Sequence, residues 1–396
     1  MTGDAGAAGI AVPTLRVVRE AAPDELPGWD ARTVDVPGGN VQQSRAWAAH
    51  RARTGWQPHQ LVLDDGSAVL ALGRSWRLVG GGRLYVPKGP VAAGAPAATV
   101  AARLAAVADW AGGAGYDAIL ADAEMPAASG YPALVARRGF HPAEEVGPSR
   151  HRVGTPIAPG SDDEALLRLV GRAARQRFGA AERRGTRIVR YDRAGPPSLP
   201  GLEAPPAERL RDAAEDAFGR FHALLAETGK RRGFGIGGRA AALAWWRAAL
   251  DAGQLLLLEA RAADGAYLGA AIFYRHGERL TYAHSGDVVE LRHVHAGTAN
   301  LLLWRALQLA AREGRTELDL GGVDVRGARG EPRPGDPMHG LLEFKLAYGG
   351  RWIELTGAQE RVLRPARHAV VTGTRRIAAA TRALPGALRN RSAVPR

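Results

Sequence analysis

Two stretches of this chain repeat one order of predicted elements, and this repetition constrains the fold more than any other feature. The first stretch runs from "HQLVLDDGSAVLALGRSWRL" and "GGRLYVPKGPV" through "ATVAARLAAVADWAGGAG" to "YDAILAD". The second runs from "QLLLLEARAADGAYLGAAIFYRHGERLTYAHSGDV" through "ANLLLWRALQLAAREG" to "TELDLGG". Apolar segments between Gly and Asp turns predict a β-meander, and the helical periodicity that follows predicts an amphipathic helix ended by glycine. The sequence therefore predicts a duplicated α/β unit.

The predicted order of elements resembles the GCN5-related acyltransferase (GNAT) fold, taken twice. We therefore expect an α/β protein with two tandem GNAT-like units and mixed sheets. The first unit is predicted to span residues 14–155 and the second residues 156–356. A chain of 396 residues is long enough for two or three domains of ordinary size, so its length agrees with this division.

A helix is predicted between the two units, in "SDDEALLRLVGRAARQRFGAAERRG". Ser161 and Glu164 have the spacing of a capping box, and Gly185 is a suitable C-terminal stop. Apolar residues at helical spacing can line one face of this helix. Three arginines remain available for solvent or a ligand: Arg172, Arg175 and Arg183.

Composition excludes several classes of protein. The hydrophobic fraction of 46% and the charged fraction of 23% are those of a soluble globular protein. No apolar run approaches the roughly 18 residues of a membrane span, and the N-terminus lacks the pattern of an export signal. With 0 cysteines, the chain can form neither disulfides nor a thiolate zinc site, and it has no cysteine nucleophile. A cytoplasmic protein is the simplest interpretation.

The formal net charge of +13 favours anionic partners, although arginine enrichment in a GC-rich genome would also produce it. From Arg361 to Arg396 the chain contains nine arginines and no acidic residue. Such a segment is either a solvated tail or a contact with an acidic membrane surface, which attracts each cation by about 1 kcal/mol. The membrane interpretation predicts a peripheral contact of the tail with the inner membrane leaflet, and a solvated tail is the alternative.

Conventional catalytic devices are absent from the sequence. There is no G-x-S-x-G elbow, no H-E-x-x-H motif and no Walker loop. His293 and His295 lack a third ligand nearby, so we expect no metal site. The GNAT fold usually holds the coenzyme A pyrophosphate with R/Q-x-x-G-x-G/A; the matching "VHAGTA" has Val294 in the leading position, which argues against coenzyme A.

One lysine lies in an apolar setting that requires an explanation. Lys345 stands between Phe344 and Leu346 in "HGLLEFKLAYGGRWIEL". Because desolvating a lone ammonium is costly, either the lysine snorkels from an edge strand or an anion meets it there. From this segment alone, the snorkelling lysine is the favoured interpretation.

The same segment resembles the signature of the Fem family, transferases that add amino acids from aminoacyl-tRNA to the peptidoglycan stem peptide. The family pattern G-L-x-x-F-K-x-x-F/Y-G is met by Gly340, Leu341, Phe344, Lys345, Tyr348 and Gly349. Other similar segments follow in family order: "QQSRAWAAHRARTGW", "LYVPKGPV", "RAARQRFGAAERRGTRIV", "FHALLAETGKRRGF" and "ANLLLWRALQLAAREGRTELDLGGVD". The resemblance covers roughly residues 40–365, and the shared order of the segments carries it.

The resemblance implies transfer of an amino acid from aminoacyl-tRNA to the stem-peptide amine of lipid II or UDP-MurNAc-pentapeptide, which builds the interpeptide bridge. It implies no cofactor, because an aminoacyl ester is already activated. It reverses the interpretation of Lys345, which becomes a contact for the tRNA acceptor end, with Phe344 as a stacking face. Asp122 of "LADAEMP" is then a candidate to orient or deprotonate the amine.

The resemblance also implies residues for the substrates. Arg51, where the family has lysine, and Arg231 are candidates for the precursor pyrophosphate, with Arg232 nearly as good for the second place. Tyr282 is a candidate to pack on the precursor, although a half-buried strand tyrosine is the alternative. Arg175 is a further substrate-binding candidate.

The family further suggests that residues 357–380 form a C-terminal helix that returns to the first unit, followed by a basic tail at 381–396. Two other functions stay open. One is a GNAT-type N-acyltransferase that uses a coenzyme A thioester, and the other is a non-enzymatic basic module that binds RNA or membrane.

Overall fold

The computed structural model describes residues 13–76, 80–145, 150–193, 199–232, 235–323 and 330–370. The strands are β1 (Val17–Glu20), β2 (Gln57–Leu63), β3 (Ala68–Ser75), β4 (Gly82–Val86), β5 (Ala118–Ala121), β6 (His141–Pro142), β7 (His151–Pro156), β8 (Arg187–Tyr191), β9 (Leu202–Glu203), β10 (Leu255–Arg261), β11 (Tyr267–His276), β12 (Arg279–Asp287), β13 (Glu317–Asp319), β14 (Arg351–Glu354) and β15 (Gln359–Val362). The helices are α1 (Trp29–Thr33), α2 (Arg45–Arg53), α3 (Ala97–Gly113), α4 (Tyr131–Ala136), α5 (Asp163–Leu169), α6 (Arg172–Arg183), α7 (Leu210–Arg232), α8 (Arg239–Asp251), α9 (Thr298–Arg312) and α10 (His339–Leu346).

Lobe one is built on a seven-stranded mixed sheet in the order β1-β2-β3-β4-β5-β15-β6. Strands β2 to β4 form the predicted antiparallel meander, β1 extends it beyond the predicted stretch, and β4 pairs with β5 in parallel. A parallel pair needs a crossover, which α3 supplies. Alanine and valine make most of α3 apolar, so it buries most of its surface between the sheet and α4.

Lobe two repeats this arrangement on an eight-stranded sheet in the order β14-β7-β13-β12-β11-β10-β8-β9. Strands β10 to β12 form the meander, and β12 pairs in parallel with β13 through the crossover helix α9. Residues of α9 pack with α6 and the sheet in one core. The predicted duplicated α/β unit with mixed sheets is therefore confirmed.

The structure differs from the predicted boundaries at two places. Strand β7 was assigned to the first unit up to residue 155, but it pairs with β13 and β14 of lobe two. Part of the predicted C-terminal helix is a strand: β15 pairs with β5 and β6, so it covers an edge of β5 that would otherwise lack partners. Helical residues begin only at 365, and residues 371–396, including the predicted tail, lie outside the described residues.

The helix predicted between the lobes is two helices, and its start is set by a different residue. The carboxylate of Asp162 accepts from the Ala165 N–H at 2.8 Å, whereas the Ser161 hydroxyl donates to the Ala158 carbonyl at 2.7 Å. Asp162, which the capping-box pattern overlooked, is therefore the N-cap of α5. The chain leaves the helical conformation after α5, and the Gly171 N–H at the start of α6 donates to the carbonyl of Ala347 at 2.7 Å.

The two lobes contact each other through the turn before β12 and through helices α2 and α8. The Glu278 carboxylate accepts from the Gly38 N–H at 2.9 Å. The rings of Trp47 and Trp245 meet edge to face with their centroids 4.8 Å apart. These contacts join lobe one to lobe two.

Candidate functional site

Lys345 lies in a helix, so its predicted position on an edge strand is wrong. Leu342, Lys345 and Tyr348 recur three residues apart and share the inward face of α10 and its end. Lys345 is only 4% exposed, and its Nζ donates to the carbonyls of Gly321 at 3.2 Å and Gly322 at 2.6 Å. The ammonium therefore does not snorkel to solvent but is buried at the end of β13.

The surroundings of Lys345 disfavour its charged form. Burial lowers the pKa of the ammonium to about 8, although the nearby Asp319 carboxylate opposes this shift. The Tyr282 ring centroid lies 5.9 Å from Nζ, within the range of a cation–π contact. A lysine with this pKa can hold or release a proton near neutral pH, which an ordinary surface lysine cannot do.

Asp122 follows β5 and is held by three donors. Its carboxylate accepts from the Tyr85 hydroxyl at 3.1 Å, the Lys88 N–H at 2.6 Å and the Lys88 Nζ at 3.0 Å. Lys88 adopts a positive φ of 51°, which brings its N–H and its side chain to the same carboxylate. Both oxygens of Asp122 are thus engaged, which suits an anchoring role better than that of a free base.

Glu124 and Arg279 connect this group to lobe two. Arg279 donates to Glu124 at 2.7 Å and approaches Asp319 at 3.5 Å. Burial by itself would raise the pKa of Glu124, but the charges of Arg279 and Lys88 hold it well below its usual range. Asp319 in turn stabilises the charged forms of both Lys88 and Lys345.

These contacts define a junction cluster between the lobes. It consists of Lys88, Asp122, Glu124, Arg279, Asp319 and Lys345. Three cations balance three carboxylates, so the cluster has no large net charge with which to attract a polyanion. Its chemistry is suited instead to orienting a reacting group and moving a proton.

The structure places the other predicted residues at various distances from this cluster. Tyr282 lies next to Lys345, and its hydroxyl bonds to Ser285. Phe344 is half-buried and meets the Tyr348 ring edge to face at 5.9 Å. The guanidinium of Arg51 lies between Trp47 and Trp56, 5.5 Å and 5.0 Å from their ring centroids.

Two predicted residues are not joined to the junction cluster. Arg231 at the end of α7 and Arg175 on α6 are exposed, and no hydrogen bond or ion pair among the described residues links either of them to the cluster. The side chain of Arg232 lies outside the described residues. These three remain predictions.

Four members of the cluster were not predicted as site residues from the sequence. Lys88 and Asp319 lie inside segments that already resembled the Fem family, so "LYVPKGPV" and "TELDLGG" contained the signal. Glu124 and Arg279 are 155 residues apart, and no local sequence pattern in either segment predicts their contact.

A cavity of about 330 Å³ lies apart from the cluster, at the N-terminus of α9 in the "VHAGTA" segment. Gly297 caps the helix with a φ of +95°, and a Cβ there would overlap the carbonyl of Arg177. Val294, which replaces the usual Arg or Gln of a coenzyme A loop, is 64% exposed.

The described ranges contain no group of three His, Asp or Glu side chains arranged to hold a metal ion. No helix within these ranges is both long and apolar enough to cross a membrane.

Comparison with known proteins agrees with the two-unit fold. A profile described as an acetyltransferase (GNAT) domain matches residues 172–332, most of lobe two. The crystal structure of FemX superposes with a TM-score of 0.69 at 18% identity, covering 87% of this chain and 98% of FemX. A Bacteroides thetaiotaomicron protein of unknown function superposes with a TM-score of 0.51 at 12% identity, covering 86% of this chain and 97% of that one. A search of curated proteins found no significant match.

The fold and the profile together define the class: two tandem GNAT-like units, the second of which matches the acetyltransferase (GNAT) profile. The chain shares the fold of FemX over nearly its whole length, so the resemblance to the Fem family is confirmed at the level of the fold.

Proposed function

We propose that this protein transfers an amino acid from aminoacyl-tRNA to the stem-peptide amine of a peptidoglycan precursor, either lipid II or UDP-MurNAc-pentapeptide. The observation that carries the proposal is Lys345, a buried ammonium at the junction of two GNAT-like lobes. Its place in the F-K motif and the FemX fold support the same reaction. No cofactor is needed, because the aminoacyl ester is already activated.

The reaction is the aminolysis of an ester. The amine nitrogen attacks the aminoacyl carbon, a C–N bond forms, and the bond to the ribose oxygen of the tRNA breaks. The nucleophilic nitrogen loses a proton, and the ribose oxygen that leaves gains one. The enzyme therefore needs to position two substrates, stabilise an oxyanion and manage one proton.

Lys345 fits the last two tasks. Its ammonium is buried, and an electrostatic contact in such a setting is stronger than in water. Because its pKa is lowered to about 8, it can give a proton to the leaving ribose oxygen and regain the one that the attacking amine loses. Phe344, half-buried one residue away, offers a face on which a base of the acceptor end can stack.

Asp122 serves to orient rather than to deprotonate in this proposal. Its oxygens already accept from Tyr85 and from both groups of Lys88. It thereby fixes the Lys88 ammonium beside Asp319, which also faces Lys345. The incoming amine would meet this fixed set of charges in lobe one.

The precursor would span both lobes. Arg51 is held between two tryptophans, so its guanidinium is positioned in advance for the pyrophosphate. Arg231, with Arg232 as the alternative, would supply the second contact, and Tyr282 would pack on the precursor near Lys345. A lipid-linked precursor would place the enzyme at the inner face of the plasma membrane, with the basic C-terminal tail as a peripheral contact.

A second candidate is an N-acyltransferase that uses a coenzyme A thioester. The GNAT profile and the cavity at the start of α9 favour it. The exposed Val294 in the position of the usual Arg or Gln disfavours it, because a valine offers no donor to a phosphate.

The test is transfer of a labelled amino acid from charged tRNA to each precursor, with wild-type protein and Lys345→Met. Methionine keeps the length of the side chain and removes the ammonium. We expect transfer by the wild type and at least a tenfold loss in the variant, about 1.4 kcal/mol of transition-state stabilisation. Equal rates for two folded proteins would remove Lys345 from the mechanism.

A further inference from the structure

The solvent-exposed side of α6 has a set of cations that the junction cluster does not use, here called the arginine row. Five exposed arginines lie along this helix and just after it: Arg172, Arg175, Arg177, Arg183 and Arg184. Glu182 is the only acidic residue of α6, and it pairs with Arg305 at 2.7 Å. Among the described residues no ion pair neutralises any of the five. The face therefore presents unbalanced positive charge, unlike the junction cluster.

The cavity at the start of α9 adjoins this row. Arg177 lines the cavity, and a shallower depression beside it is lined by both Arg177 and Arg184. The only carboxylate of the cavity lining, Asp287, is bound by Arg292 through two hydrogen bonds of 2.6 Å. The first turn of a helix also leaves backbone N–H groups that favour an anion.

Asn300 gives an independent indication that the cavity takes a polar ligand. Its side chain is 6% exposed and lines the cavity. In the part of the chain that the structure describes, no group bonds to its side-chain amide, whereas the backbone carbonyl of Asn300 accepts from Tyr348. The amide faces the cavity without a protein partner among these residues, so a ligand with hydrogen-bonding oxygens could pair with it there.

Both ends of this surface reach the helix that contains Lys345. The N–H of Gly171, which precedes Arg172, donates to the carbonyl of Ala347 at 2.7 Å. The Tyr348 hydroxyl donates to the carbonyl of Asn300 at 2.7 Å. Helix α6 has 12 residues and is about 18 Å long, so its arginines can follow several successive phosphates that lead to the end of α10.

We propose that the arginine row of α6 and the α9 cavity bind the sugar–phosphate backbone at the acceptor end of the RNA donor. One phosphate would lie in the cavity against Asn300 and the first turn of α9, and the following phosphates would lie along the arginines. This proposal rests on the proposed function, because it assigns the partner of that site. A row of separate cations beside a concave pocket fits a chain of phosphates better than the flat surface of a membrane.

Binding of uncharged tRNA, measured by fluorescence anisotropy over a range of salt concentrations, tests the surface without any transfer reaction. The test protein carries Arg172→Gln, Arg175→Gln and Arg183→Gln. The control carries Arg137→Gln, Arg209→Gln and Arg239→Gln, three exposed arginines elsewhere, and loses the same net charge. Three lost phosphate contacts should reduce the slope of log K against log salt by about 2 to 3 in the test protein only.

Asn300→Ala tests the cavity separately. It should weaken RNA binding at least threefold while the salt slope stays within error, because it removes no charge. Circular dichroism and thermal melting would establish that each variant is folded.

The outcomes separate this proposal from the proposed function. Equal slopes for the test and control proteins would overturn the docking surface, even if the wild type transfers amino acids. A reduced slope in the test protein would support the surface, even if no transfer is found. Loss of binding to phosphatidylglycerol vesicles by the test protein, with RNA binding intact, would assign the row to a membrane and overturn the proposal.

Discussion

At the scale of single residues, Lys345 lowers the stability of the fold that holds it. Its pKa is about 8 in the folded protein and near 10.5 when unfolded. The unfolded chain therefore binds the proton more tightly, and the fold loses up to about 3 kcal/mol below pH 8. Above that pH the loss shrinks, and it vanishes near pH 10.5.

We therefore expect Lys345→Met to be more stable than the wild type at pH 7. The advantage should decrease as pH rises from 8 to 10.5, since the lysine of the folded wild type is then increasingly neutral, and it should vanish once the lysine is neutral in both states. Urea unfolding of both proteins across this range measures it. A variant that is less stable at pH 7 and shows no pH dependence would indicate that Lys345 is a structural residue.

Arg51 offers a second test at this scale. If it holds the precursor pyrophosphate, Arg51→Gln should raise the KM for the precursor about tenfold or more and leave that for charged tRNA nearly unchanged. Arg231→Gln should likewise raise the KM for the precursor and leave the KM for charged tRNA nearly unchanged. Steady-state kinetics with each substrate varied in turn measures it, and equal weakening of both substrates would contradict the assignment.

At the scale of elements, the end of α10 determines where Lys345 points. Gly349 has a φ of +75°, and a Cβ there would lie 3.0 Å from the carbonyl oxygen of Leu169. Gly349→Ala should therefore cost about 1 to 3 kcal/mol and reduce transfer. Gly340→Ala in the same helix is the matched control, because nothing lies within 4 Å of the added methyl group. It should be neutral or stabilising by up to about 1 kcal/mol, and equal losses in both variants by thermal melting would contradict this account.

The elements also show what sequence reasoning could and could not reach. The two meanders and the crossover helices α3 and α9 were predictable, because each buries a face whose apolar period is visible within one segment. Helix α10 was not, since an eight-residue helix rich in apolar residues reads equally well as a strand. Strand β15 was hidden for another reason: its partners β5 and β6 lie more than 200 residues earlier in the chain.

The candidate site divides in the same way. Lys345, Phe344 and Asp122 came from a motif and its family resemblance, but the partners that give them their properties did not. Lys88 approaches Asp122 through backbone geometry, and Arg279 approaches Glu124 through the packing of two lobes. Such contacts depend on tertiary structure, which no local pattern encodes.

At the scale of the whole molecule, the Glu124–Arg279 pair joins the two lobes. Arg279 is 3% exposed, so Glu124→Gln would leave a buried cation with a weaker set of partners. We expect a loss of about 3 kcal/mol in the free energy of unfolding. The control is Glu360→Gln, whose half-buried pair with Arg83 stays within lobe one and should contribute about 1 kcal/mol or less. Denaturant unfolding of both variants measures the two losses. Equal losses would show that the pair between the lobes contributes no more to stability than the pair within lobe one.

The whole molecule is proposed to move an amino acid, not an acetyl group, and a competition between donors tests this most directly. Charged tRNA and acetyl coenzyme A are supplied together, at equal concentrations, with one precursor that contains a stem-peptide amine. Mass spectrometry of the precursor then shows which group was added. The account predicts the mass of an amino-acid residue, abolished by prior ribonuclease treatment and reduced at least tenfold by Lys345→Met. Addition of acetyl alone, unaffected by ribonuclease, would contradict it and identify the protein as a coenzyme A-dependent N-acyltransferase.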